Sequence, residues 1–270
     1  MPRISVLMGI YNTKNKKYLE KSIGSILNQT FTDFEFIICN DGSTNDCFKW
    51  AKDICKGDER VIFIENDKNM GLAYTLNHCL KVAKGEYIAR MDDDDYSHED
   101  RFEKQIAYLE NNNVDLVSNN INVFDDNGIY NVIKFPNHIN KNDFLFNSPI
   151  VHPTIMAKKK AFELVGGYRD LRKTIRVEDY DLFMRMFENN VKMDVIQEIL
   201  FEYRDDRENT IRRKKYKYRI NEFKVRYENF KKMGLFPLGL FYSLKPLIIG
   251  IIPVSVLNYI KRKRGHVYEN

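Results

Sequence analysis

Residues 86–95 read EYIARMDDDD. A short apolar stretch runs straight into four adjacent carboxylates, Asp92 to Asp95, which repel one another. A strand that delivers the chain to a polar sheet edge accounts for such a step, and the residues before it repeat the pattern. ISVLMGI (4–10) is a continuous apolar run, as a strand buried on both faces requires. KKYLEKSIGSILNQ (16–29) places Leu19, Ile23, Ile26 and Leu27 at helical spacing. FEFIICN (34–40) reads as a second strand, and Ser43 or Thr44 is positioned to cap a helix running to about Cys55. RVIFIE (60–65) is a third strand, and GLAYTLNHCLKVAKG (71–85) a helix with Gly85 as its stop. EYIARM (86–91) is the fourth strand.

Strand–helix alternation at this spacing predicts an α/β fold, a Rossmann-like, mostly parallel sheet flanked by helices. Ligands in such sheets bind beyond the carboxyl ends of the strands. Three polar clusters fall there: Tyr11-Asn12 after strand one, Asn40-Asp41-Gly42-Ser43 after strand two, and Asp92–Asp95 after strand four.

The remainder of the first 205 residues is less regular. RFEKQIAYLENN (101–112) reads as a helix, and DLVSNNINVFD and GIYNVIKF as strands around the turn Asp125–Gly128. SPIVHPTIMAKKKAFELVGGYRD (148–170) predicts a strand and a short helix ended by Gly166-Gly167. EDYDLFMRMFENN (178–190) opens acidic, as a helix N-terminus prefers.

The chain has 270 residues, 43% of them hydrophobic, enough for one sizeable core or a core with a tail. Cys39, Cys47, Cys55 and Cys79 form no CxxC pair and have no zinc-ligand spacing to the nearby His78, His98 and His138, so free, buried thiols and a reducing compartment are expected. The apolar run of MPRISVLMGIYN is too short for a signal peptide. A tail then departs from this pattern. IRRKKYKYR (211–219) has six basic residues in nine, and the apolar MGLFPLGLFYSLKPLIIGIIPVSVLNYI (233–260) leads into KRKR (261–264). Its longest charge-free run is fifteen residues, below the roughly 20 that a spanning helix wants. The tail reads as lying on an anionic membrane surface through residues 211–264, or as a helix pair docked on the domain.

Three readings of the acidic row compete. A calcium loop fails, because Ser97 stands where the turn needs glycine. A merely solvated loop is the usual fate of a charge run. A divalent-metal site suits the place best: Mn²⁺ or Mg²⁺ commonly takes one or two protein carboxylates and completes its shell with water and substrate phosphates.

VLMGIYN, FIICNDGSTND, NMGLAYTLN, GEYIARMDDDD, GGYRD and EDYDLFMRM occur in that order, and together they resemble an inverting family 2 glycosyltransferase of the GT-A fold, of the bacterial surface-polysaccharide type. The resemblance covers about residues 3–205. It implies a nucleotide-diphospho-sugar donor, commonly UDP-linked, bound with Mn²⁺ or Mg²⁺ at the strand edge, where Gly9, Tyr11 and Asn12 also lie. Asp41 matches the carboxylate that contacts the nucleotide base; alone it also reads as an Asx-turn before the next helix. Asp92 and Asp94 match the two aspartates of the DxD motif, ribose-side and metal-side, with Asp93 in the variable middle place and Asp95 a supporting carboxylate. Arg90 either touches phosphate or pairs with the row. Glu178-Asp179 match the ED motif: Asp179 holds the position of the base that deprotonates the acceptor hydroxyl, and Glu178 is a candidate to orient the acceptor. On residue type alone, both also serve a helix N-terminus.

Two further candidates are His152, lining the donor pocket or buried in the core, and Arg204, where related chains close over the diphosphate. YRDDRENTIRR departs from the YRxH-like ending of many members. The expected organisation is a nucleotide-sugar-binding half (1–95), an acceptor and catalytic half (96–205) and the basic, amphipathic tail (206–270). The expected function is inverting, metal-dependent sugar transfer to a glycan or polyprenyl-linked glycan, at the inner face of the plasma membrane. A nucleotidyltransferase would want a glycine-rich loop after strand one, where YNTKNKK stands. A nucleic-acid-binding role for the basic tail lacks any recognised motif, so no nucleic-acid partner is expected.

Overall fold

The computed structural model describes residues 1–205 and 215–252. The first unit is β1 (Ile4–Ile10), α1 (Lys16–Leu27), β2 (Phe34–Asn40), α2 (Cys47–Ile54), β3 (Val61–Glu65), α3 (Leu72–Val82) and β4 (Tyr87–Arg90). Then follow β5 (Tyr96–Ser97), α4 (Arg101–Asn111), β6 (Leu116–Asp125), β7 (Gly128–Ile133), β8 (Met156–Lys158), α5 (Lys159–Val165), α6 (Glu178–Glu188) and β9 (Met193–Arg204). Helices α7 (Tyr216–Lys232) and α8 (Leu238–Ile251) complete the described chain.

The strands form one nine-stranded sheet in the order β3-β2-β1-β4-β8-β6-β9-β5, with β7 beside β6. Pairing is parallel from β3 to β4, antiparallel at β4–β8 and β8–β6, and parallel again at β6–β9. Period-two alternation sorts side chains to two cores. From β1, Leu7 joins α3, α5, α6 and α7 on one face, while Ile4, Val6, Met8 and Ile10 join α1, α2 and α4 on the other. All four cysteines are free and buried.

Two local expectations are corrected. The helix from Leu72 ends at Val82, not at Gly85. Gly85 instead admits the backbone of β1, since a Cβ there would stand 2.5 Å from the Ser5 nitrogen. Neither Ser43 nor Thr44 caps α2, whose N-cap is Asp46. The Ser43 hydroxyl accepts from the Asn12 N–H at 3.0 Å, and Thr44 N–H donates to Asn12 Oδ1 at 2.8 Å.

In the tail, α7 is docked: Val225 and Phe230 sit in the core, and buried Arg226 donates to the Leu145 and Phe146 carbonyls. α8 packs on α7 and leaves Phe241, Ile248 and Ile251 exposed at 69%, 60% and 73%. Among the described residues no helix is long and apolar enough to cross a membrane. The basic residues 211–214 and 261–264 lie outside the described residues.

Candidate active site

The carboxyl ends of β1, β2 and β4 open into a cleft with two lobes. The first, of about 710 Å³, is lined by Gly9, Tyr11, Asp41, the 69–73 turn, Asp92 and Asp93. The second, of about 720 Å³, is lined by Arg90, Asp92, His152, Glu178, Asp179 and Tyr203, among others. Leu72, Asp92, Arg176, Glu178 and Tyr218 line both, so these five residues form the joint between the lobes.

The first lobe is shaped by the NDGS turn. Both Asp41 oxygens are taken by the following loop: Oδ1 accepts from Asn66 Nδ2 (2.9 Å) and Met70 N–H (2.8 Å), Oδ2 from Asn69 Nδ2 (2.8 Å) and Gly71 N–H (2.9 Å). Two acceptor sites per oxygen are thereby filled. The loop can come this close because position 42 is glycine, at φ +65°; a Cβ there would lie 2.4 Å from the Lys68 carbonyl carbon. Asp41 is thus an anchor for the 66–71 loop as well as a lining residue and makes no Asx-turn; the local side-chain bond across the turn comes from Asn40, whose Oδ1 accepts from Ser43 N–H at 3.0 Å. Asn12 does not line the lobe; at φ +49° it locks the 43–44 turn.

The acidic row is held residue by residue. Arg90, 1% exposed, forms an ion pair with Asp92. Ser22 Oγ donates to the Asp92 carbonyl at 2.6 Å, and Thr13 Oγ1 bonds Asp93. Arg204 N–H donates to Asp95 Oδ1 at 2.7 Å. Burial, and after it the Asp92 charge, push the Asp93 carboxyl up to about 6 against the Thr13 bond. Burial, then Asp92 and Asp94, hold Asp95 well above the usual carboxylate range. The row faces the cleft through Asp92 and Asp93, while Asp94 lines neither lobe. Beneath it, buried Arg101 donates to the Pro153 carbonyl at 2.9 Å.

Arg204 stands elsewhere than its expected place over the cleft. Its guanidinium lies 3.6 Å from the centre of the Tyr18 ring and pairs with Asp126 at 2.8 Å, so the side chain ties the end of β9 to α1 and the 125–128 turn while its N–H holds Asp95. His152 is buried and lines the second lobe, not the first. Its Nε2 lies 2.7 Å from the Tyr168 hydroxyl, and burial beside Arg90 drives its pKa far down, so it is neutral at physiological pH.

Glu178 and Asp179 open α6 and reach the second lobe from the far half of the chain. Burial, then the neighbouring Asp179, push Glu178 up to about 7. Burial also raises Asp179, against the Tyr180 N–H that donates to its Oδ1 at 2.8 Å and the nearby Arg90. A carboxylate raised toward neutrality is a better proton acceptor at physiological pH. Their place is fixed by Asp181, which is wholly buried: it is paired with Arg169, accepts from Arg185 Nε at 2.8 Å and from Asn229 Nδ2 at 3.1 Å. The sequence reading did not single out this anchor, although Asp181 and Arg185 stand at helical i,i+4 spacing within EDYDLFMRM.

The sequence profile described as Glycosyl transferase family 2 matches residues 5–166. The chain belongs to glycosyltransferase family 2. It is 37% identical over 208 residues to the O-antigen biosynthesis glycosyltransferase WbnJ of Escherichia coli, covering 74% of this chain and 79% of that one. It is 28% identical over 271 residues to the Escherichia coli UDP-Gal:alpha-D-GlcNAc-diphosphoundecaprenol beta-1,3-galactosyltransferase, covering 97% and 96%. Among solved structures it is similar to the mannosyltransferase PcManGT from Pyrobaculum calidifontis in complex with GDP-Man and Mn²⁺, with TM-score 0.64, 14% identity, and coverage of 97% of this chain and 79% of that one. The curled mixed sheet with helices on both faces is the GT-A fold.

Proposed function

We propose that this glycosyltransferase moves a sugar from a UDP-linked donor to a hydroxyl of a lipid-linked surface glycan, with inversion. One observation carries the reading: Asp92 of the acidic row and the Glu178-Asp179 pair, more than eighty residues apart, line one lobe of the cleft at the strand ends. The first lobe takes the nucleotide, with Gly9 and Tyr11 at its wall and Asp41 holding its 66–71 loop. The second lobe takes the acceptor. Asp179 accepts the proton of the attacking hydroxyl, Glu178 orients that hydroxyl, and neutral His152 with Tyr168 forms the wall behind them.

Among the described residues no three His, Cys, Asp or Glu side chains form a ready metal cage. The row nonetheless fits Mn²⁺ or Mg²⁺, because such ions need only one or two protein carboxylates beside substrate phosphates, and a cation on Asp92 and Asp94 would relieve the repulsion these two charges exert on Asp93 and Asp95. Asp92, at the joint of the two lobes, is one proposed ligand; Asp94, which lines neither lobe, is proposed as the other on the DxD resemblance alone. Bound there, the dication would neutralise the departing diphosphate.

The acceptor reading draws on the diphosphoundecaprenol in the name of the galactosyltransferase relative and on the apolar face of α8. That face would rest on the inner leaflet of the plasma membrane and bring the cleft to an acceptor confined to two dimensions.

The test is release of nucleoside diphosphate from a panel of UDP-, GDP- and dTDP-sugars, with Mn²⁺ and with excess chelator. Release from a UDP-sugar only with metal, lost in Asp179→Asn and Asp94→Asn, is expected. Undiminished turnover in chelator would overturn the metal, and a wild-type rate in Asp179→Asn would overturn the base. Flotation with anionic vesicles, lost on removal of 233–270, is expected of the tail.

A further inference from the structure

Residues 170–176, DLRKTIR, join the GGYRD segment to Glu178-Asp179 and carry three cations in seven residues. This is a built turn. Thr174 is buried, and its hydroxyl lies 2.6 and 2.8 Å from the carbonyls of Arg169 and Leu171. Val177 N–H donates to the Thr174 carbonyl at 2.9 Å. From α7, Asn221 Nδ2 donates to the carbonyls of Arg172 (3.0 Å) and Ile175 (3.3 Å). Lys173 is paired with Glu228.

Arg172 and Arg176 differ from Lys173, although the Arg176 backbone N–H and charge both lower the nearby Glu178 carboxyl. Among the described residues neither guanidinium has an ion pair or hydrogen bond. Both line the first lobe, and Arg176 also lines the second, at the joint with Asp92 and Glu178. The Arg176 backbone stands at φ +72°, a left-handed conformation that an L side chain seldom takes and that points to function when its surroundings impose it. Here the surroundings are Thr174 and Asn221 on one side and the start of α6 on the other.

We propose that Arg176, with Arg172 beside it, is an oxyanion subsite that grips the phosphoryl group next to the transferred sugar. The proposal rests on the nucleotide-sugar reading above. A guanidinium offers a planar fork of N–H donors that matches phosphate oxygens. The joint is where that phosphate must sit if the nucleotide fills the first lobe and the attacking hydroxyl the second. In the transfer, the bond from the anomeric carbon to the phosphate oxygen breaks and its electron pair stays on the diphosphate. The acceptor oxygen forms the new bond, and its proton passes to Asp179. Charge therefore grows on the diphosphate beside Arg176, opposite the acidic row. Because Arg172 lines only the first lobe, the pair marks the donor's anion rather than one on the acceptor.

Calorimetry on the full chain tests this with UDP, GDP and dTDP, each against its nucleoside. Arg176→Ala should weaken the nucleoside diphosphate about tenfold or more and leave the nucleoside unchanged, because a hydrogen bond to a charged group is lost. Arg172→Ala should do the same to a smaller degree, and Arg176→Lys should restore part. Both side chains are exposed, so the thermal midpoint should hold. If the wild type binds none of the three diphosphates, the donor reading falls and takes the subsite with it. If the wild type binds one and Arg176→Ala binds it equally, the subsite alone is overturned. A variant changed only in its KM for acceptor would also overturn it, by placing the anion on the acceptor.

Discussion

Asn77 clasps the backbone of Tyr168 from both sides: its Oδ1 accepts from the Tyr168 N–H at 2.9 Å and its Nδ2 donates to the Tyr168 carbonyl at 2.8 Å. The two residues are 91 positions apart. The clasp joins α3, beside the first lobe, to the segment whose Tyr168 supports His152 in the second. Asn77→Ala leaves a peptide N–H and C=O without these partners, and should cost about 2 kcal/mol. A lower urea midpoint with an unchanged m-value is the expected result, together with slower turnover as the His152 wall loses its support.

Asp181 presents a larger liability. With its charge removed, Arg185 stays buried and Arg169 half-buried, without their shared counter-ion. Asp181→Ala should therefore destabilise by about 3–5 kcal/mol, the range for a broken buried ion pair. Asp181→Ala with Arg169→Met should recover part of that loss. Thermal melts of the two variants beside the wild type check both expectations.

Glu178 ties stability to pH. Its carboxyl is raised from 4.5 to about 7, so the folded chain holds this proton where the unfolded chain has released it. The unfolding free energy should fall as pH rises through that window and level off above it. Solvent at the cleft screens the effect, leaving a cost on the order of 1–2 kcal/mol. Denaturation of metal-free wild type and Glu178→Gln at pH 4.5, 6 and 7.5 reads it: the variant's relative gain should grow with pH.

Asp41 is expected to act on the first lobe through the backbone it holds. Asp41→Ala frees the Met70 and Gly71 N–H groups together, and hydrogen exchange at those two amides should accelerate by about tenfold or more, because each loses a charge-assisted bond. Exchange within β1 should stay slow, since its ladder to β2 and β4 does not involve Asp41.

Much of this architecture is legible in the residues. ISVLMGI and FEFIICN announce buried parallel strands, and the polar residues after them mark the edge where the cleft lies. Partners contributed by distant loops are not legible. Nothing in NDGS tells that Asn66, Asn69, Met70 and Gly71 will fill the Asp41 oxygens, because the match depends on how the loop after β3 folds back. Gly85 reads as a helix stop because local sequence does not reveal the backbone of β1 pressed against it. The strand MDVIQEILFEYR escaped the reading because exposed Gln197 and Glu198 interrupt its alternation, at the bulge where its register on β6 shifts.

The bond from Arg204 N–H to Asp95 spans 109 residues and brings the end of β9 against the acidic row. On the ribosome, strands β1 to β4 emerge and can pair long before β9 exists. A nascent chain stalled short of residue 204 would thus hold Asp92 and Asp93 through Arg90, Ser22 and Thr13, yet lack the backbone donor for Asp95. The acidic row gains that last bond only once the final strand is in place.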